Sequence, residues 1–181
     1  METASKNTSR LPSTLVIGNS RINSSLAILS SKNVIAVVDQ NNIDSGNVIV
    51  LPRQEVMLFS ELNEAESIDM FLFAQKIAKI IEDKILKDKE KETVELVIRD
   101  GPGSGSIPGQ VCIYLIPKKK DQRIVFGDYD ANDDSGTSRK DSDEKTCYVS
   151  MRRYQNYDRV KEYAKHLRIL LKKELVETKK E

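Results

Sequence analysis

Residues 110 to 116 read Gln-Val-Cys-Ile-Tyr-Leu-Ile, and their alternation is that of a β-strand. Val111, Ile113 and Leu115 point to one side and supply a core face. Gln110, Cys112 and Tyr114 point to the other and present an amide, a thiol and a phenol. Just upstream lies the polar run Asp100-Gly101-Pro102-Gly103-Ser104-Gly105-Ser106, whose backbone N–H groups can receive an anion. The thiol attacks only as a thiolate, and an interior thiol with no cationic neighbour keeps a normal or raised pKa. A tyrosine titrates too high to act as a general base at neutral pH. This is the most site-like stretch of the chain, and its chemistry favours holding a ligand over covalent attack.

Other clusters carry less. Asp128, Asp130 and Asn132 begin like a calcium loop, but Asp133 stands where glycine is needed and Arg139 where the closing glutamate is needed. Cys112 and Cys147 lack the company of zinc ligands. The glycine-rich run lacks the Gly-Lys-Ser/Thr ending of a P-loop. Ser135, Ser138 and Ser142 among acidic residues suit phosphorylation or plain solvation, and Lys118-Lys119-Lys120 reads as a solvated edge rather than an RNA contact.

The elements that must position the site follow from periodicity. Val34–Val38 and Val48–Leu51 are β-branched, apolar strands, with a turn at Asn41, Asn42, Asp44, Ser45 and Gly46 between them and Pro52 closing the second. A long helix starts at Asn63, with Glu66 placed for a capping box. Met70, Phe71, Ala74, Ile77, Ala78, Ile81 and Ile85 form its stripe, while Phe73 and Ile80 make a second flank that faces either the core or another subunit. Lys87 to Glu92 is a solvated charge run, and Val94–Ile98 is another strand, leading through the glycine-rich loop to Gln110–Ile116 and Pro117. The final helix offers Val160, Tyr163, Ala164, Leu167, Leu170 and Leu171. The fold class is α+β, with a mainly antiparallel sheet. The expected organisation is a disordered segment 1–13, a domain over 14–126, a disordered acidic, serine-rich loop over 127–148, a helical segment 149–176 completing the domain, and a tail 177–181.

The chain has 181 residues, enough for one domain with a real core. Lys plus Arg (29) against Asp plus Glu (28) leaves +1, too little for tight, charge-driven duplex binding. No apolar run is long enough to cross a bilayer, and Met1 to Ser13 contain no secretory apolar region. Two cysteines make no disulfide framework, so a cytoplasmic or nuclear setting is expected and the sequons at Asn7 and Asn23 are idle.

Asp100-Gly101-Pro102, Gly105 and the strand up to Pro117 resemble the signature of the histidine triad (HIT) proteins, most closely the fragile-histidine-triad branch of dinucleoside polyphosphate hydrolases. The spacing from Asp100 to Pro117 fits without a gap. Ile22-Asn23, Val37-Val38-Asp39, Gly46 to Pro52 and Phe59-Ser60-Glu61-Leu62 fall where that family has its early strands and helix entry, and Leu167-Arg168 look familial too. The resemblance implies a HIT-like fold and a reaction through a nucleotidyl intermediate on the central histidine. Gln110, Cys112 and Tyr114 stand in place of the three histidines, Ser106 in place of the loop glutamine, Asp39 in place of a ribose-associated asparagine, and Asn47 in place of a histidine. The chain's one histidine, His166, falls at the edge of the last helix's apolar face.

These departures lead to the expectation of a catalytically inactive HIT-fold module for protein interaction, homodimeric and with an unidentified protein partner. The first alternative is a purine-nucleotide sensor using Asp39, Asn47, Arg99, Gly105, Ser106 and Lys118. The second is an active dinucleoside polyphosphate hydrolase with a rewired site. No cofactor or metal is expected.

Overall fold

The computed structural model of the chain describes residues 13–17, 20–40, 46–88, 92–101, 110–120, 122–126, 146–149 and 157–177. The segments expected to be disordered, 1–13 and 127–148, lie outside these residues except for Ser13 and residues 146–148.

Five strands form one antiparallel sheet: β3 (Ala27–Ser30), β4 (Val34–Val38), β5 (Val48–Pro52), β6 (Glu92–Arg99) and β7 (Cys112–Lys119). Their order across the sheet is β3-β4-β5-β7-β6, which makes β7 an inner strand and β6 an edge. A hairpin of β1 (Thr14–Ile17) and β2 (Ser20–Asn23) precedes it, with a short 3-10 turn at Ser24–Leu26. Every residue of β4 and β5 is buried, as in strands covered on both faces. On one face Val34, Ala36, Val38, Val48, Val50, Ile113 and Leu115 meet the two helices, α1 (Glu64–Lys84) and α2 (Tyr157–Glu177). On the other, Ile35, Val37, Ile49, Leu51, Cys112, Tyr114 and Ile116 meet Leu15, Ile17 and Ile22 of the hairpin.

α1 begins as its sequence requires. The Asn63 side chain accepts from the Glu66 amide at 2.9 Å, and the Glu66 carboxylate accepts from the Asn63 amide at 3.1 Å. The structure decides between the two readings of its second flank and corrects one residue of its stripe. Phe73 is 9% exposed and Ile80 is 2%, so the second flank belongs to the chain's own core. Phe71, expected in the stripe, is 43% exposed and shares the outward side with Ile68 and Leu72. The buried arc of α1 is centred near Ile77 and is wide enough to take Phe73 and Ile80, which leaves Phe71 on its rim.

Two further differences concern strands. β7 continues through Pro117 to Lys119 instead of stopping there. Pairing with β5 ends at Leu115, so beyond it β7 has one neighbour, a position that tolerates proline. In addition, β8 (Arg123–Phe126) pairs in parallel with β9 (Thr146–Val149), apart from the main sheet. β9 takes up the last residues of the span expected to be disordered, where Thr-Cys-Tyr-Val is a run of strand formers.

Candidate functional site

Alternation along β7 separates Cys112, Tyr114 and Ile116 from Ile113 and Leu115, as the sequence implies. The face that carries Cys112 is not an open polar surface, however. Cys112 and Tyr114 are fully buried in the apolar cluster roofed by the β1–β2 hairpin. Burial pushes the Cys112 thiol up to about 12; a hydrogen bond from Tyr114 and the charge of Arg99 oppose this, and the Asp39 carboxylate adds to it. A thiol held neutral in this way is no nucleophile at neutral pH.

The same electrostatic neighbourhood shows which expected residues the fold gathers. Arg99 closes β6 directly opposite Cys112, and Val97 lies opposite Tyr114. Asp39 follows β4 and Asn47 precedes β5, joined by a bond from the Asp39 amide to the Asn47 carbonyl at 2.9 Å. By alternation with Val37 and Ile49, both project toward the Cys112 side. Both are buried, Asn47 to 0% exposure, and neither side-chain polar atom of Asn47 has a partner among the described residues. A buried amide left in this state costs free energy.

Gln110 turns to the end of the site. Its Nε2 donates to the Gln54 carbonyl at 2.7 Å and to the Pro52 carbonyl at 3.3 Å. That segment also holds both ends of the glycine-rich loop. The Gly101 amide donates to the Met57 carbonyl at 3.0 Å and the Val111 amide to the Val56 carbonyl at 2.8 Å. The Phe59 amide donates to Asp100 Oδ2 at 3.0 Å beside them. Gly101 sits at φ +80°, a conformation that favours glycine. Gly105 and Ser106 lie outside the described residues.

Lys118 does not join the group. It pairs with Glu95 and donates to the Gln122 carbonyl at 3.0 Å. His166 is exposed on α2, on the helix side of the sheet. Among the described residues, no three His, Cys, Asp or Glu side chains cluster so as to hold a metal ion. No described helix is long and apolar enough to cross a membrane.

Sequence reasoning missed the strap at Val56 and Met57, because two apolar residues in a connection carry no local signal. It also missed the hairpin roof. The alternation of Leu15 and Ile17 against Ile22 is its only trace, and strands of four residues are too short to specify a partner.

Comparison with known proteins places these features. The family model described as "HIT domain" matches residues 20–121. The bifunctional bis(5'-adenosyl)-triphosphatase/adenylylsulfatase FHIT of Arabidopsis thaliana is 30% identical over 99 residues, covering 55% of this chain and 49% of that protein. The bis(5'-adenosyl)-triphosphatase of Dictyostelium discoideum is 31% identical over 85 residues, covering 47% and 54%. The chain thus spans about half the length of these relatives. The crystal structure of Plasmodium falciparum diadenosine triphosphate hydrolase in complex with Cyclomarin A superposes with a TM-score of 0.62 at 13% identity, over 91% of this chain and 88% of that one. That likeness speaks to the fold alone.

The relatives overturn the expectation of a catalytically inactive interaction module, because the proteins that match are named as hydrolases. The matched span runs from β2 through β7 and takes in more than half of the sequence. On that match and on a sheet with helices along one face, the chain belongs to the HIT domain family.

Proposed function

We propose that this chain binds dinucleoside polyphosphates beside the end of β7 and hydrolyses them. The observation that carries this reading is the similarity, at 30–31% identity, to relatives named as bis(5'-adenosyl)-triphosphatases. The gathering of Asp39, Asn47 and Arg99 on the Cys112 side supports it. Because Cys112 is shut in and neutral, the reaction is routed through water. Its oxygen bonds to phosphorus as one anhydride P–O bond breaks, the leaving phosphate takes the bond's electron pair, and the proton passes to solvent. Diadenosine triphosphate and water then give AMP and ADP. Incubation of the purified chain with diadenosine triphosphate, followed by anion-exchange separation of nucleotides, tests this. AMP and ADP in equal amounts are expected, with turnover unchanged in Cys112→Ala. No product above the buffer control, together with no heat of binding at millimolar ligand, overturns it.

The reading includes a homodimer. Its support is not the Phe73 and Ile80 flank but the apolar surface left outside the core: Leu96 and Ile98 on edge strand β6, and Ile68, Phe71 and Leu72 on α1. Sedimentation velocity at micromolar concentration should give a dimer, and Ile98→Lys a monomer. A monomer for the unaltered chain removes this part.

A further inference from the structure

We propose that the outer face of α2 is a docking surface for an acidic amphipathic helix of another protein, with Ile169 as its apolar contact and Lys165, Lys172 and Lys173 as the cations around it. This surface lies on the helix side of the sheet, away from Cys112, and is independent of the hydrolase reading.

The helix sets the geometry. Val160, Ala164, Leu167 and Leu171 are buried against the sheet. At 3.6 residues per turn Ile169 falls opposite that stripe, and it is 46% exposed. Residues three and four positions away are its neighbours on the helix surface. They are Lys165, His166, Lys172 and Lys173, and all four are exposed. Half-buried Arg168 lies between Lys165 and Lys172 along one flank.

These cations are not used by the fold. Among the described residues, Lys165, Arg168, Lys172 and Lys173 have no carboxylate partner. The acids of α2 stand elsewhere. Asp158 faces Lys161 at 3.9 Å, Glu162 is two turns before Ile169, and Glu174 is on the side toward α1, where Lys79 pairs with it at 2.8 Å. The helix macrodipole favours cations in the last turn only, so it does not account for Lys165 or Arg168. The whole chain carries +1, which makes this face a local concentration of positive charge.

Charge and shape together choose the occupant. Single-stranded nucleic acid is held by cations interleaved with aromatic rings. Both tyrosines of α2 are engaged: Tyr157 has Lys161 over its ring, 4.3 Å from the centroid, and Tyr163 packs toward the core beside Gly46. A lipid surface asks for a broad apolar face, whereas the crown of α2 offers one apolar side chain. An apolar centre within a polar rim is the plan of a protein interface. A partner helix with one apolar residue on Ile169, and Asp or Glu three and four positions to either side of it, sets its carboxylates against the lysines, because both helices share one spacing.

Selection from a library of helical peptides tests this. Each peptide carries one fixed leucine, and the positions three and four residues from it are randomised between glutamate and lysine. The full chain should select glutamate at those positions. The triple variant Lys165→Glu, Lys172→Glu, Lys173→Glu should select lysine instead. In fluorescence anisotropy the selected glutamate peptide should bind the triple variant about tenfold or more weakly than the unaltered chain, the combined effect of three rim pairs. Ile169→Ser should weaken it about tenfold through lost apolar burial, with melting temperature unchanged in both variants. The proposal is overturned if glutamate and lysine are recovered equally, if the triple variant selects the same peptides as the unaltered chain, or if folded Ile169→Ser binds as well as the unaltered chain. It is overturned equally if oligouridylate RNA or phosphatidylserine vesicles bind the unaltered chain more tightly than the peptide does and lose that binding in the triple variant.

Discussion

Alkaline pH should unfold this protein through one thiol more than through any other described group. The Cys112 side chain ionises at 9.0 in an unfolded chain and at about 12 in the folded one, because burial disfavours the thiolate. The fold therefore favours the protonated form. That contribution is fully present below pH 9, shrinks as pH climbs from 9 toward 12, and is gone above the folded value. For a three-unit difference the loss is roughly 1–2 kcal/mol at pH 10 and about 4 kcal/mol at pH 12. Tyr163, raised from 10.0 to about 12 by burial, adds well under about 1 kcal/mol at pH 10. For a chain of this length the Cys112 share corresponds to a fall in Tm of about 3–6 °C between pH 8 and pH 10. Urea unfolding of the unaltered chain and of Cys112→Ala at the two pH values isolates the effect. The variant starts about 1 kcal/mol lower because a small cavity opens in the core, but it loses less stability on going to pH 10. Parallel pH dependence in the two proteins would refute the argument, since it would mean that the thiol ionises equally well folded and unfolded.

Three further outcomes are expected. Asn47→Leu should stabilise the ligand-free protein by about 1 kcal/mol in urea unfolding, because it removes a buried amide whose donor and acceptor have no partner among the described residues, and it should weaken diadenosine triphosphate in calorimetry; a destabilised variant would show that Asn47 is already satisfied. Gly46→Ala should cost about 1–2 kcal/mol by thermal melting, since the glycine holds φ +67° and a new Cβ would sit 3.1 Å from Tyr163 Oη. Asn63→Ala should cost about 1 kcal/mol through loss of the α1 cap, with Asn63→Asp close to neutral.

Much of the architecture was legible because local and long-range signals agree. Val34–Val38 and Val48–Leu51 are all apolar, and the structure covers both faces of each. Asn63 and Glu66 are three residues apart, and they form the reciprocal cap that this spacing implies. Phe73 and Ile80 were harder to place. Sequence gives the angle between residues on a helix but not the width of the groove beneath it, and here the groove admits both. At the site, alternation correctly puts Cys112 and Tyr114 on one side, yet nothing in residues 110–116 reveals that a hairpin roof will close over them. Lys118 shows the same limit. Its charge is plain in the sequence, while its pairing with Glu95 depends on the β6–β7 register. Function was the least legible. Gln110, Cys112 and Tyr114, where the resemblance led us to expect histidines, argued for inactivity, whereas the similarity to relatives is spread over about a hundred residues.

The strap after β5 has a consequence for the cost of bringing distant parts of the chain together. Gly101 and Val111 hang from adjacent carbonyls, those of Met57 and Val56, so the two ends of the intervening span are brought together by the polypeptide itself. Joining such ends normally demands chain entropy at the moment a guest arrives. Here that demand falls on folding, because two backbone bonds to neighbouring carbonyls hold Gly101 and Val111 side by side.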